Sequence, residues 1–225
     1  MNPGIFFCIA KDMMTKQRIL ILVLAALGGL ILAGIAAMLT KPPSGAASST
    51  DSKALIAVTG DAFGGPFTLT DHNGKAVTEK DFAGKYRMIY FGFTFCPAIC
   101  PTELSKMTAA LNKMGDAGKQ ITPIFITVDP ERDTPEKMKS YVSMFHPTLV
   151  GLTGTPEQIK AVTREYKIYA AKVEDPQLSE YTMDHTSWIM LMAPDDRLLR
   201  IFKADDSADD IAAITTRWIE QNSRN

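Results

Sequence analysis

The chain has 225 residues, with 24 Lys and Arg against 25 Asp and Glu, and 46% of it is hydrophobic. A net charge of −1 offers no basic surplus for nucleic acid, and three cysteines are too few for a disulfide framework. The hydrophobic fraction is ample for one core, and the length fits one domain plus an appendage.

The first element is a run from Ile19 to Leu39 without a charged residue, rich in Leu, Ile, Ala and Gly. As a helix its 21 residues would span ~31 Å, which matches a bilayer core. A soluble buried helix would show a polar stripe, which the run lacks. A signal peptide would have a shorter apolar region, although Ala46-Ala47-Ser48 is small enough for a cleavage site. The length favours an uncleaved anchor. Lys11, Lys16 and Arg18 precede the run, and Lys41 and Lys53 follow it. This bias places residues 1–18 in the cytoplasm as a tail, 19–39 in the membrane and the rest outside. The expectation is a single-pass protein of the bacterial inner membrane with its soluble domain in the periplasm. Residues 40–60 include Pro42-Pro43-Ser44-Gly45-Ala46-Ala47-Ser48-Ser49, a linker composition too small and polar to pack. Residues 61–225 form the predicted folded domain. Cys8, ahead of the run, reads as a free thiol without a role.

Phe67 to Thr70 reads as a strand, with a turn at Asp71-His72-Asn73-Gly74. Tyr86 to Phe91 reads as a central strand. It leads into Phe91-Gly92-Phe93-Thr94-Phe95-Cys96-Pro97-Ala98-Ile99-Cys100-Pro101-Thr102-Glu103-Leu104, which holds two of the three cysteines. Leu104, Met107, Leu111 and Met114, at spacings of three and four, predict a helix to about Gly115. Pro101 suits its first position and Glu103 its first turn. The thiols therefore sit where a strand ends and a helix begins. Unpaired N–H groups and the positive end of the helix dipole favour thiolate there. Two adjacent thiolates form a disulfide or hold a soft metal ion, and both remain open at this point.

Ile121 to Val128 is the next strand, followed by the charged loop Asp129 to Pro135. Thr134 caps a helix that Pro135 opens, turning Met138, Tyr141, Val142 and Phe145 inward. That loop reads either as a capping turn or as a partner surface. Leu149 to Leu152 predicts a short strand, and Thr155-Pro156-Glu157 opens a helix with Ile159, Val162 and Tyr166 on one face. Ile168 to Val173 reads as a strand and Glu174 to Glu180 as a polar loop. Thr186 to Ala193, a turn at Pro194-Asp195-Asp196-Arg197 and Leu198 to Phe202 predict a hairpin. A last helix from about Ser207 buries Ile211, Ile214, Trp218 and Ile219. Strands alternating with helices and closing on a hairpin and a helix describe an α/β sandwich. Cysteines at such a strand-to-helix junction are where thioredoxin-like folds place their active thiols.

Of three histidines, His72 reads as exposed in a turn and His146, before Pro147, as a cap or surface residue. His185 follows a long loop, opens a predicted strand, and is the candidate functional histidine.

Gly64-Gly65-Pro66-Phe67, Tyr90 to Pro101, Phe125 to Pro135, Gly151 to Thr155 and Asp184-His185-Thr186-Ser187 together resemble the Sco/SenC family. The resemblance runs in order from Gly64 to Trp218. It implies a membrane-anchored, thioredoxin-like sandwich with a central mixed sheet flanked by helices, acting in cytochrome c oxidase assembly. It implies one copper ion held by Cys96, Cys100 and His185, with oxidase subunit II as partner and a copper donor left unidentified. One departure is Ala98, where the family usually has an acidic residue. It bears on copper affinity, redox potential and partner recognition.

The donor set suits that role. Thiolates select Cu(I), and an imidazole also accommodates Cu(II). Three ligands leave the metal under-coordinated, which favours transfer. Structural zinc wants four protein ligands, although catalytic zinc accepts three. Met107, Met114, Met190 and Met192 read as core rather than as copper ligands. Asp184 is a candidate acceptor for orienting His185. Two functions follow. The first is a copper metallochaperone for the binuclear copper site of the oxidase. The second is a thiol–disulfide oxidoreductase in which Cys96 and Cys100 are the catalytic pair and reduce the cysteines of that site. Three residues separate the cysteines, against two in ordinary thioredoxin chemistry, and a histidine is needed for copper but not for thiol exchange. A peroxiredoxin-type peroxidase would need Thr and Pro where Phe93 and Ile89 stand.

Overall fold

A computed structural model of the chain describes residues 63–174 and 180–222. The expected tail, anchor and linker, and Cys8, lie outside these residues. Among the described residues no helix is long and apolar enough to cross a membrane.

The described elements in order are β1 (Thr68–Asp71), β2 (Ala76–Thr78), β3 (Tyr86–Gly92), α1 (Ile99–Met114), β4 (Ile121–Thr127), α2 (Pro135–Val142), β5 (Val150–Thr153), α3 (Pro156–Glu165), β6 (Ala170–Val173), β7 (Thr182–His185), β8 (Ile189–Met192), β9 (Leu198–Phe202) and α4 (Ala208–Asn222). Seven strands form one mixed sheet in the order β2-β1-β5-β4-β3-β8-β9, while β6 and β7 pair separately. β3, β4 and β5 run parallel through helical crossovers, and β8 returns antiparallel beside β3. Helix α1 packs against α4, α2 against β5 and α3 against β1. The result is the expected α/β sandwich, a mixed sheet flanked by helices.

β3 is the axis. All seven of its residues are buried, as a strand covered on both faces requires. Arg87 is the exception in chemistry: its buried guanidinium pairs with Asp196 and donates to the Ala193 carbonyl at 3.2 Å. This ties the strand to the β8–β9 turn. The helix starts follow local signals. Thr134 accepts from the Lys137 N–H at 3.4 Å, and Thr155 forms a reciprocal capping box with Gln158.

Two expectations change at the cysteine and histidine segments. α1 starts at Ile99, not Pro101, so Cys100 lies inside its first turn. Pro101 is tolerated as the third residue because its missing N–H needs no acceptor there. The predicted strand from Thr186 to Ala193 is interrupted. His185 ends β7 rather than opening a strand, and residues 186–188 carry the chain from the two-stranded ribbon to the main sheet. Thr186 exchanges two hydrogen bonds with Tyr169, and Ser187 Oγ meets the Tyr90 hydroxyl at 2.8 Å. Alternation of polar and apolar residues does not tell which sheet a strand joins, so the break had no local signature.

Candidate metal centre

The cysteine loop is built on β3 and pinned to β4. Gly92 ends β3, and a Cβ there would sit 2.8 Å from Cys100 Sγ. The glycine thus lets the Cys100 sulfur lie against the strand backbone. Two residues on, Thr94 donates through its N–H at 3.0 Å and its hydroxyl at 2.5 Å to Asp133. The Thr127 hydroxyl donates to the same carboxyl at 2.6 Å. Asp133 is fully buried, and burial pushes its carboxyl above the usual range despite these donors.

Cys100 is buried and Cys96 half-buried, and both are free thiols. No side chain caps α1 in the usual way; instead Cys96 Sγ accepts the Cys100 N–H at 3.4 Å. The hydrogen bond from the Cys100 thiol, helped by the N–H groups of Cys100, Ala98 and Ile99, lowers the Cys96 thiol to about 5. The same bond and burial push the Cys100 thiol up. The two environments therefore favour a thiolate at Cys96 and a protonated thiol at Cys100.

β7 brings His185 to this pair. Its Nε2 lies 3.5 Å from Cys100 Sγ, and its Nδ1 lies 3.0 Å from the Thr186 carbonyl. A carbonyl only accepts, so Nδ1 carries a proton, and in the neutral ring this leaves the Nε2 lone pair toward the sulfur. The rings of Phe93 and Tyr90 meet the imidazole edge-on at 5.8 and 6.3 Å. Cys96 thus reaches Cys100, and Cys100 reaches His185. Among the described residues no three His, Cys or acidic side chains are already drawn into a metal cage. The donors fit a soft ion: a thiolate, a thiol that must release its proton, and an imidazole nitrogen of fixed tautomer.

The match to known proteins covers the same segment. The SCO1/SenC family model matches residues 57–220. The chain belongs to the SCO1/SenC family. "Protein SCO1 homolog 1, mitochondrial" of Arabidopsis thaliana is 44% identical over 161 residues, which are 71% of this chain and 48% of that protein. The chain therefore spans about half the length of that relative. The copper-bound structure of Bradyrhizobium japonicum ScoI is 47% identical with a TM-score of 0.65, over 70% of this chain and 99% of that one. A structure of BsSco, described as a member of the Sco family of cytochrome c oxidase assembly proteins with a disulfide switch, is 26% identical with a TM-score of 0.55, over 69% of this chain and 92% of that one.

In this SCO1/SenC chain the other candidates fall away from the site. Asp184 is exposed, its side chain alternating to the opposite face from His185, and the Thr186 carbonyl orients the imidazole in its place. His72 is not a free turn residue, because its Nδ1 accepts the Gly151 N–H at 3.0 Å and its own N–H donates back at 2.9 Å. His146 bonds Thr148 and lies beside Thr108. Met107, Met114, Met190 and Met192 are core residues. Ala98 is exposed at the head of α1, so no side-chain charge stands at that position beside Cys96. The charged loop holds what was missed. Asp129 and Asp133 are buried, yet in sequence they look like any solvated turn.

The unequal thiols predict unequal chemistry. Cys96 should be alkylated by iodoacetamide with a pH midpoint near 5, and Cys100 should resist at neutral pH. The lowered Cys96 value also means that its thiolate favours the folded state above the ordinary thiol range, a contribution lost as pH falls through about 5. Rate profiles resolved by peptide mass spectrometry would check the assignment. A midpoint for Cys96 near 9 would contradict it.

Proposed function

We propose that this chain is a copper metallochaperone that holds one copper ion through Cys96, Cys100 and His185 and assists assembly of the binuclear copper site of cytochrome c oxidase. The observation that carries this reading is the imidazole Nε2 turned toward Cys100 Sγ at 3.5 Å with Nδ1 engaged elsewhere. Thiol exchange needs no such nitrogen. Relatives solved with copper bound support it. In this reading residues 19–39 anchor the domain at the bacterial inner membrane facing the periplasm. Oxidase subunit II receives the copper, and the copper donor is left unassigned. Copper displaces the Cys100 proton on loading, and the open coordination position admits the recipient's ligand.

The second reading has its own support in the lowered Cys96 thiol and in the relative with a disulfide switch. The Cys96 thiolate would attack a partner disulfide and form a mixed disulfide. Cys100, losing its proton, would then attack Cys96 Sγ and release the partner's dithiol. The partner gains two electrons, and this chain is left with a Cys96–Cys100 disulfide.

His185→Ala separates the two, since both need the cysteines. In cells lacking this protein, the variant is expected to fail to restore oxidase activity at limiting copper. The purified variant should still form and exchange the Cys96–Cys100 disulfide. Its Cu(II) binding should weaken more than its Cu(I) binding, because two thiolates alone still hold Cu(I). Added copper should rescue it in part by mass action. Full oxidase activity without copper binding would leave the reductase reading in its place.

A further inference from the structure

The cysteines and His185 come from segments that no strand pairing joins. Among the described residues β7 pairs only with β6, in a ribbon apart from the main sheet. On its C-terminal side His185 is held by Thr186 and by the Ser187–Tyr90 contact. On its N-terminal side the tie is Arg132. Its Nη1 donates to the Tyr181 carbonyl at 2.8 Å, one residue before β7. Its guanidinium lies 3.8 Å from the Tyr181 ring centroid and 4.6 Å from that of Phe95, the residue before Cys96. It also lies 5.9 Å from Phe93, whose ring meets His185. Arg132 is itself anchored: its Nε donates to buried Asp129, whose other oxygen accepts the Tyr181 hydroxyl at 2.8 Å.

We propose that Arg132 is a positioning residue that clamps the His185 strand over the cysteine loop, an inference that rests on His185 being a copper ligand. A flat, permanently charged guanidinium stacks on two rings and donates to a carbonyl at once, which an ammonium does not. The guanidinium keeps its charge whatever the state of the thiols. Its loss loosens the imidazole and leaves the two sulfurs in place. Cu(II), which relies on the nitrogen donor, therefore feels the loss more than Cu(I).

The test uses the full chain in mild detergent, unaltered and as Arg132→Met, His185→Ala and the double variant. Cu(II) affinity is read by competition and electron paramagnetic resonance, and Cu(I) affinity by chelator competition. Arg132→Met is expected to lower Cu(II) affinity ~10–100-fold and Cu(I) affinity by less than ~3-fold. Added to His185→Ala, it should lower Cu(II) affinity no further, because it acts through that ring. An equal loss in both backgrounds, or no loss, overturns the proposal. Arg132→Met strands the buried Asp129 carboxylate, so Asp129→Asn/Arg132→Met, which leaves no lone charge, must give the same pattern. If the unaltered chain binds no copper, or His185→Ala leaves Cu(II) binding unchanged, the ligand reading falls instead. The clamp is then judged without metal. Amide exchange over Thr182–His185 should quicken at least ~10-fold in Arg132→Met while β3 and β4 stay protected. Unchanged exchange there overturns the clamp as well.

Discussion

Cys100→Ser is expected to abolish tight copper binding, with Cu(I) affinity lowered far more than the ~100-fold that loss of an outer-sphere partner costs. Cys100 is the residue common to both contacts in the site: its main-chain N–H meets Cys96 Sγ, and its own Sγ meets His185 Nε2. A serine hydroxyl is a hard donor that stays protonated at neutral pH, so it replaces neither the softness nor the charge of a thiolate. The change is nearly isosteric, and Cys100 Sγ lies in the space that Gly92 leaves open, so the fold should persist. Competition against a Cu(I) chelator checks the affinity, and circular dichroism checks the fold. Retained 1:1 binding within ~10-fold of the unaltered chain would remove Cys100 from the ligand set. Cys96→Ser should lose Cu(I) comparably, while its hydroxyl still offers an acceptor to the Cys100 N–H at the start of α1.

The largest stability effect is expected at Asp133, which touches no proposed ligand. Asp133→Ala deletes the acceptor of three hydrogen bonds, from the Thr94 N–H, the Thr94 hydroxyl and the Thr127 hydroxyl. With those donors left unpaired at a largely buried site, the cost is about 3–5 kcal/mol. For a domain of this size that corresponds to a fall in melting temperature of roughly 6–20 °C. The loop from Phe93 to Pro97 would lose its tie to β4, so copper binding should weaken along with stability. Asp133→Asn keeps the shape and should cost less. Its cost should also depend on pH. Burial raises the Asp133 carboxyl in the folded state, so the fold favours the protonated acid. That contribution is complete below the ordinary carboxylate range and fades as pH rises through the folded value. The gap in stability between the unaltered chain and Asp133→Asn should therefore widen as the solution is acidified from pH 7. Thermal melts across a pH series would check this, and a gap that narrows on acidification would contradict it.

Much of this protein is legible along the chain. The sandwich follows from the alternation of apolar strands with capped helices. Thr134-Pro135 and Thr155-Pro156 announce two helix starts to the residue, because capping and the fixed φ of proline are local effects. The cysteine pair at the mouth of α1 is equally local, since spacing and the helix terminus together make one thiolate.

Other features are decided only by chain segments that meet in space. His185 is one of three histidines until β7, paired with β6, sets it 3.5 Å from Cys100, 85 residues earlier. Its orienting partner is a main-chain carbonyl, which no residue type announces, whereas the neighbouring Asp184 side chain is a visible candidate acceptor. Asp129, Arg132 and Asp133 read as a solvated charge run because sequence records charge and not burial. Thr94, Thr127 and Tyr181, from three separate segments of the chain, supply the hydrogen bonds that let two carboxyl groups enter the interior. The amino-acid sequence by itself determined which donors exist and which elements carry them. The tertiary structure alone decided which donors face one another, because that depends on sheet order and on buried polar pairs distant in the chain.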